Sequence, residues 1–214
     1  MTLFDYSSHL NDYLINMVPQ REQEVLRMEE EARKSGFPII GPVAGYFCYQ
    51  ITRMMAAKKI FELGSGFGYS TAWFARGIVE NGGGIVHHVV WDELLSQQAQ
   101  KHLSQLGFSD VVNYHIGEAV KTLGETPGTF DLIFLDIDKE GYPGSLPIIV
   151  EKLRRGGVLL VDNMLWGGRV FNEGDHSSST KAIRLFTRML VEDPAWLVNI
   201  VPVHDGLAVA YKVI

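Results

Sequence analysis

The sequence predicts an α/β fold built on a doubly wound, mostly parallel sheet that closes with a C-terminal antiparallel hairpin. Three observations predict it. Short apolar runs alternate with helical patterns from Val43 onward, the arrangement that gives parallel strands with helices on both faces. The first such run ends in a glycine turn, Phe61-Glu62-Leu63-Gly64-Ser65-Gly66-Phe67-Gly68-Tyr69-Ser70. The run Leu132 to Leu135 is wholly apolar, as expected of a strand covered on both sides.

Taken in order, the segment to about Ser35 reads as helical. Leu3, Tyr6, Leu10, Tyr13, Leu14 and Met17 form an apolar stripe suited to the core or to a partner helix, a homodimer being one option. Glu22 to Arg33 reads as a solvated, charge-laced helix, and Gly36-Phe37-Pro38 breaks it. Val43 to Ala57 is an apolar helix leading into the first strand, Lys58 to Leu63, and Ser70 to Gly77 is helical after the glycine turn. Gly82-Gly83-Gly84 punctuates; strand Ile85 to Val90 and helix Glu93 to Leu106 follow. Val111 to Ile116 is the third strand, Val120 to Leu123 a short helix, Leu132 to Leu135 the fourth strand. Leu146 to Leu153 is helical and Gly157 to Val161 is the fifth strand. Leu165 to Ser179 has no apolar period and reads as a long polar loop, of a length that is often functional. After a helix from Thr180 to Val191, Trp196 to Val201 and Leu207 to Val213 close as two strands, with His204-Asp205-Gly206 as the hairpin signal. There is no internal repeat and no linker, so residues 1–214 read as one domain.

Composition narrows the function. The hydrophobic fraction is 46% and the charged fraction 21%, ordinary for a soluble globular chain. A net charge of -6 gives no general attraction to nucleic acid or to an anionic membrane. No apolar run reaches membrane-spanning length. Cys48 is the only cysteine and reads as a small core residue. With no signal peptide visible, a reducing cytoplasm is the expected compartment.

The chemistry concentrates where strands end, because ligands of open α/β sheets sit at the carboxyl ends of the strands. At the glycine turn, Tyr69 stands where a dinucleotide fingerprint needs its third glycine, and Glu62 precedes Gly64. That pattern argues against a nicotinamide cofactor and suits S-adenosylmethionine (SAM), which carries an ammonium, a sulfonium and a ribose. Asp92, at the end of the second strand, can bind ribose hydroxyls, cap the following helix, or do both. Gly117-Glu118-Ala119 leaves room for an adenine ring or is a plain turn. Asp136, after the fourth strand, and Asp162-Asn163, after the fifth, should converge there. Such residues also cap turns; the two pairs together favour a hard divalent ion held by oxygen. Lys139 lies three residues beyond Asp136, either as a proton acceptor or as a solvated surface lysine. Trp166 is either core or the wall of an aromatic acceptor site.

The glycine turn, Phe134-Leu135-Asp136-Ile137-Asp138-Lys139, Asp162-Asn163-Met164-Leu165-Trp166-Gly167-Gly168 and Asp205-Gly206-Leu207 occur in that order. Together they resemble the cation-dependent O-methyltransferases of the caffeoyl-CoA and catechol group, from about Phe37 to the C-terminus. The resemblance implies a Rossmann-like SAM-dependent methyltransferase domain that methylates one hydroxyl of a catechol-like small molecule. It implies SAM contacts at Glu62, Gly64, Ser65, Ser70, Asp92, Ala119 and Asp138. It implies a divalent cation, Mg2+ foremost with Mn2+ or Ca2+ as options, on Asp136, Asp162 and Asn163. Lys139 would be the general base with Asp136 beside it, Trp166 would face the acceptor, and the assembly would be a homodimer. A bacterial branch of the same family methylates 5-hydroxyuridine in tRNA; the acidic net charge weighs against that substrate here.

Overall fold

Seven strands form one sheet: β1 Lys59–Leu63, β2 Ile85–Val90, β3 Val112–Ile116, β4 Phe130–Leu135, β5 Leu153–Val161, β6 Trp196–Val201 and β7 Leu207–Lys212. The computed structural model describes residues 7–214, so Leu3 and Tyr6 of the apolar stripe lie outside the described residues. The strand order is β3-β2-β1-β4-β5-β7-β6. β1 to β5 pair in parallel, and β7 runs antiparallel between β5 and β6. The direction of winding therefore reverses between β1 and β4, which opens a crevice at their carboxyl ends.

Helices α1 Ser7–Met17, α2 Gln23–Ser35, α3 Gly41–Met54, α4 Tyr69–Glu80 and α5 Glu93–Gln105 precede β3, and α6 Ala119–Glu125, α7 Tyr142–Lys152 and α8 Ser178–Glu192 follow it. Alternation along the strands feeds two cores. Ile60, Leu132 and Phe134 pack with Cys48, Phe74 and Leu103 on one face. Phe61, Ile133 and Leu135 pack with Leu123, Ile149 and Phe186 on the other. Cys48 is fully buried, as its sequence context predicts. A Cβ on Gly45 would lie 2.2 Å from the Trp73 indole nitrogen, so α3 and α4 approach as closely as they do only with glycine there.

Several boundaries differ from the sequence reading, each for a local reason. The first segment is two helices, not one. Pro19 follows α1, and the residue before a proline is driven away from helical backbone. On α1, Leu10, Tyr13 and Met17 are exposed. On α2 the charge-laced face is partly buried: the carboxylates of Glu24 and Glu31 face the ring nitrogens of His102 of α5, at 2.6 Å from Nδ1 and 3.1 Å from Nε2. Helix α7 starts at Tyr142 rather than Leu146 because Pro143 falls in its first turn, where a missing N–H is tolerated. β5 starts at Leu153 instead of Gly157, with a register shift against β4 before Val158. The segment after β5 contains a short 3-10 stretch, Trp166–Phe171. Arg184 of α8 pins it by donating to the carbonyls of Val170, Asn172 and Asp175.

Candidate active site

The glycine turn forms the floor of a cavity of about 540 Å³ at the β1/β4 switch point. Gly64 has φ +91°, and a Cβ there would lie 2.1 Å from the Asp136 carbonyl oxygen. Only glycine lets the two strand ends meet with this turn between them. Ser65 locks the turn to β2: its N–H donates to the Val89 carbonyl and its Oγ accepts from the Val89 N–H, both at 2.9 Å. Gly64, Ser65, Ser70, Asp92, Ala119, Asp136, Asp138 and Lys139 all line the cavity. Asp92 caps α5 through one oxygen, which accepts from Leu94 N at 2.7 Å and Leu95 N at 3.2 Å. Its second carboxylate oxygen has no partner among the described residues, so the cap leaves that oxygen for a ligand.

Glu62 is placed apart from the other expected cofactor residues. Direct contact with the cofactor is expected from the sequence, but its side chain is fully buried and does not line the cavity. It points from β1 under the first turns of α4, where Thr71 Oγ1 donates to it. His88 Nδ1 lies 3.1 Å from the same hydroxyl, so Thr71 links the Glu62 carboxyl to the imidazole. Burial pushes the Glu62 carboxyl up to about 7, opposed by the nearby hydroxyls of Ser70, Thr71 and Ser65, of which Thr71 makes the hydrogen bond. Ser65 and Ser70 do line the cavity, and the second Glu62 oxygen, Oε1, is buried without a hydrogen-bond partner. His87 and His88 are packed, as their strand setting predicts, and burial lowers both imidazoles, to about 4 and about 3.

At the other end of the cavity lies a cluster of charge. Asp136 extends β4 and Asp162 extends β5, and backbone bonds hold each to the neighbouring strand: Asp136 N to Leu63 O at 2.9 Å, Asp162 N to Leu135 O at 3.1 Å. Burial raises the Asp136 carboxyl above its ordinary value, the Lys139 ammonium pulls it down, and the Asp162 charge raises it again. Lys139 is buried, not a solvated surface lysine: Nζ donates to Asp136 Oδ1 at 2.8 Å and to the Ile137 carbonyl at 3.1 Å. The Tyr142 and Trp166 rings flank that ammonium, with centroids 5.0 and 5.9 Å away. Trp166 is half-buried against the core and faces Lys139. His204 Nδ1 lies 3.3 Å from Asp162 Oδ1, a contact that raises the imidazole above its ordinary value. Three of the four non-glycine residues with positive φ among the described residues, Asn163, Trp166 and His204, meet in this region. Backbone held in that region costs energy and clusters at functional sites.

Among the described residues, no three His, Cys, Asp or Glu side chains form a metal cage. The predicted donor set is different in kind, two carboxylates and an amide oxygen. Those are hard oxygen donors, and a buried Asp136 carboxyl raised further by the Asp162 charge suits a hard divalent cation.

The sequence missed part of the cavity. Phe37, Pro38, Ile39 and Ile40 line it; the Gly36-Phe37-Pro38 signal marked a helix break and carried no sign of a ligand. Trp91 also lines the cavity and is 71% exposed, so it is not core. Asp162, Asn163 and Trp166 lie outside the cavity wall, beyond the end that Asp136 and Lys139 form.

A parallel sheet with a reversed penultimate strand position and a nucleotide-sized cavity at its switch point defines the Rossmann-like methyltransferase class. A family model described as O-methyltransferase matches residues 21–213. A catechol O-methyltransferase from Niastella koreensis is 28% identical over 212 residues, 94% of this chain and 95% of that protein. A catechol O-methyltransferase from Mycobacterium tuberculosis is 31% identical over 151 residues, 70% of this chain and 67% of that protein. Among solved structures, the O-methyltransferase TomG from Streptomyces achromogenes, in complex with SAM, superposes with a TM-score of 0.87 at 22% identity, covering 100% of both chains; it bears on the fold alone. The chain belongs to the O-methyltransferase family and is a SAM-dependent O-methyltransferase.

Proposed function

We propose that this enzyme transfers the methyl group of SAM to one hydroxyl of a vicinal dihydroxy aromatic molecule, with a divalent cation held by Asp136, Asp162 and Asn163. The observation that carries the reading is the buried Lys139 ammonium on Asp136, at the junction of the cofactor cavity and the oxygen donors. The catechol O-methyltransferases among its relatives support the acceptor class.

Bound in place, SAM supplies an electrophilic methyl on a sulfonium, and the cation supplies positive charge to the two acceptor oxygens. The chain's own residues do the rest. A phenol keeps its proton to about pH 10 when isolated, so transfer needs a proton acceptor; Lys139 Nζ would serve once its own proton has passed to solvent, leaving a neutral amine beside Asp136 that takes the phenol proton. Trp166 gives the acceptor ring a flat wall and keeps water from Lys139. Asp92 holds the ribose through its free oxygen, while Ser70 and Asp138 hold the amino-acid end. Ser65 and the N–H groups at the start of α4 fix the cofactor's depth.

A methyl-transfer screen with labelled SAM tests the reading. Catechols and other vicinal diols should accept the label, and simple phenols of the same size should not. Labelling of bulk tRNA with no labelling of any diol would replace this reading with the RNA substrate.

A further inference from the structure

We propose that Asp205 is a positioning residue that decides which end of the Asn163 amide is presented to the carboxylate cluster. The inference rests on the cation site proposed above and adds a residue outside the donor set. Asp205 sits in the β6–β7 hairpin, 42 residues from Asn163 in sequence. One of its oxygens, Oδ2, accepts from Asn163 Nδ2 at 3.4 Å, and the other, Oδ1, accepts from the Gly167 N–H at 2.6 Å. Its carbonyl accepts from Leu165 N at 2.9 Å, and the carbonyl of Gly206 accepts from Met164 N at 2.9 Å. The hairpin therefore grips the whole stretch from Asn163 to Gly167. The fit is close, since a Cβ on Gly206 would lie 2.4 Å from Leu165 Cγ.

The chemistry of the pair sets the direction of the amide. An amide has one donor end and one acceptor end, whereas an ionised carboxylate only accepts. Turned over, Asn163 would set its own oxygen against Asp205 Oδ2. Asp205 therefore holds the NH2 end, and Oδ1 is the end left to serve as a hard oxygen donor. The same side chain holds Gly167, next to Trp166, so donor orientation and acceptor wall share one anchor. The sequence marks Asp205 as a turn residue and as part of the Asp205-Gly206-Leu207 stretch of the resemblance, with no role assigned to its side chain.

Asp205→Asn keeps the shape and keeps an oxygen for Gly167 N–H, but it offers an NH2 to Asn163. The Asn163 amide should then turn its oxygen to residue 205 and its NH2 to the cluster. Adding Asn163→Asp to that variant reverses the pair: the new carboxylate accepts from the new amide and keeps an oxygen for the cluster, with the total charge unchanged. Titration calorimetry of SAM-free protein with Mn2+ reads the outcome. D205N should bind Mn2+ about 10–100-fold more weakly, the usual cost of losing an outer-shell partner. N163D/D205N should recover most of that loss, and SAM should bind all three proteins alike. Wild-type affinity in D205N, or a double variant no better than D205N, would overturn the role of Asp205 and leave the cation site standing. A wild-type protein that binds no Mn2+ would overturn the cation site, and this inference with it.

Discussion

At the scale of single residues, two acids illustrate how burial separates structural from ligand-facing roles. Glu62 and Asp92 are both strand-end acids, and the sequence assigns both to the cofactor. Asp92 is exposed and lines the cavity, whereas Glu62 is buried beneath it. The difference was not legible because a strand end has two faces, and one residue of register decides which face an acid takes. Asp92→Asn should keep the α5 cap, since Asn caps as well as Asp. It should weaken SAM binding by the value of a charged hydrogen bond, roughly 1.5–3 kcal/mol, with the melting temperature unchanged; calorimetric titration with SAM checks this, and an unaltered affinity would leave Asp92 a cap and nothing more. Glu62 carries a pH signature. Its carboxyl is raised by burial from 4.5 to about 7, so between those values the folded state holds a proton that the unfolded state has lost. Stability from this group is full below pH 4.5 and falls as pH rises toward 7, by about 3 kcal/mol for a shift of that size. Urea denaturation at pH 5 and 7.5 should show Glu62→Gln losing less stability across the interval than wild type. Parallel curves would contradict the assignment.

At the scale of elements, the segment between β5 and α8 reads from the sequence as a long polar loop, and its internal structure was not legible there. It has no apolar period, so no sequence pattern could reveal that Arg184 of α8 holds it through backbone carbonyls. Helix α7 shows the opposite case: it begins four residues before the predicted start, with Pro143 in its first turn, where a missing N–H is tolerated. Likewise, His204-Asp205-Gly206 was legible as a hairpin, but contacts from His204 to Asp162 and from Asp205 to Asn163 span 42 residues and have no local signal. Phe37 to Ile40, between α2 and α3, also reach the cavity across the fold, on the side where α2 docks on α5 through His102. Trp166 is the element's test residue. Steady-state kinetics of Trp166→Ala should show a KM for the aromatic acceptor raised about tenfold or more, the scale of losing a buried aromatic contact, and a nearly unchanged KM for SAM. Equal changes in both would assign Trp166 to the core alone.

At the scale of the whole molecule, the strand order and the cavity position follow from a pattern that the sequence carries openly. Alternating strands and helices give the parallel sheet, the glycine turn marks the switch point, and the hairpin signal gives the reversed strand β7 beside the edge. No described helix is long and apolar enough to cross a membrane. The sheet brings residues from the ends of β4 and β5 to one place, so the paired acids read from sequence do meet. The sequence could not reveal the buried ion pair between Lys139 and Asp136, because burial is a property of the assembled layers. Lys139→Ala should lower kcat by roughly 10²–10⁴-fold, the usual range for a general base, with SAM binding retained in a separate titration. The central claim, that methyl transfer requires a divalent cation beside this lysine, is tested most directly by turnover of a vicinal diol with labelled SAM. Dialysis against EDTA should abolish label transfer, and Mg2+ or Mn2+ should restore it; undiminished transfer in EDTA would contradict the account.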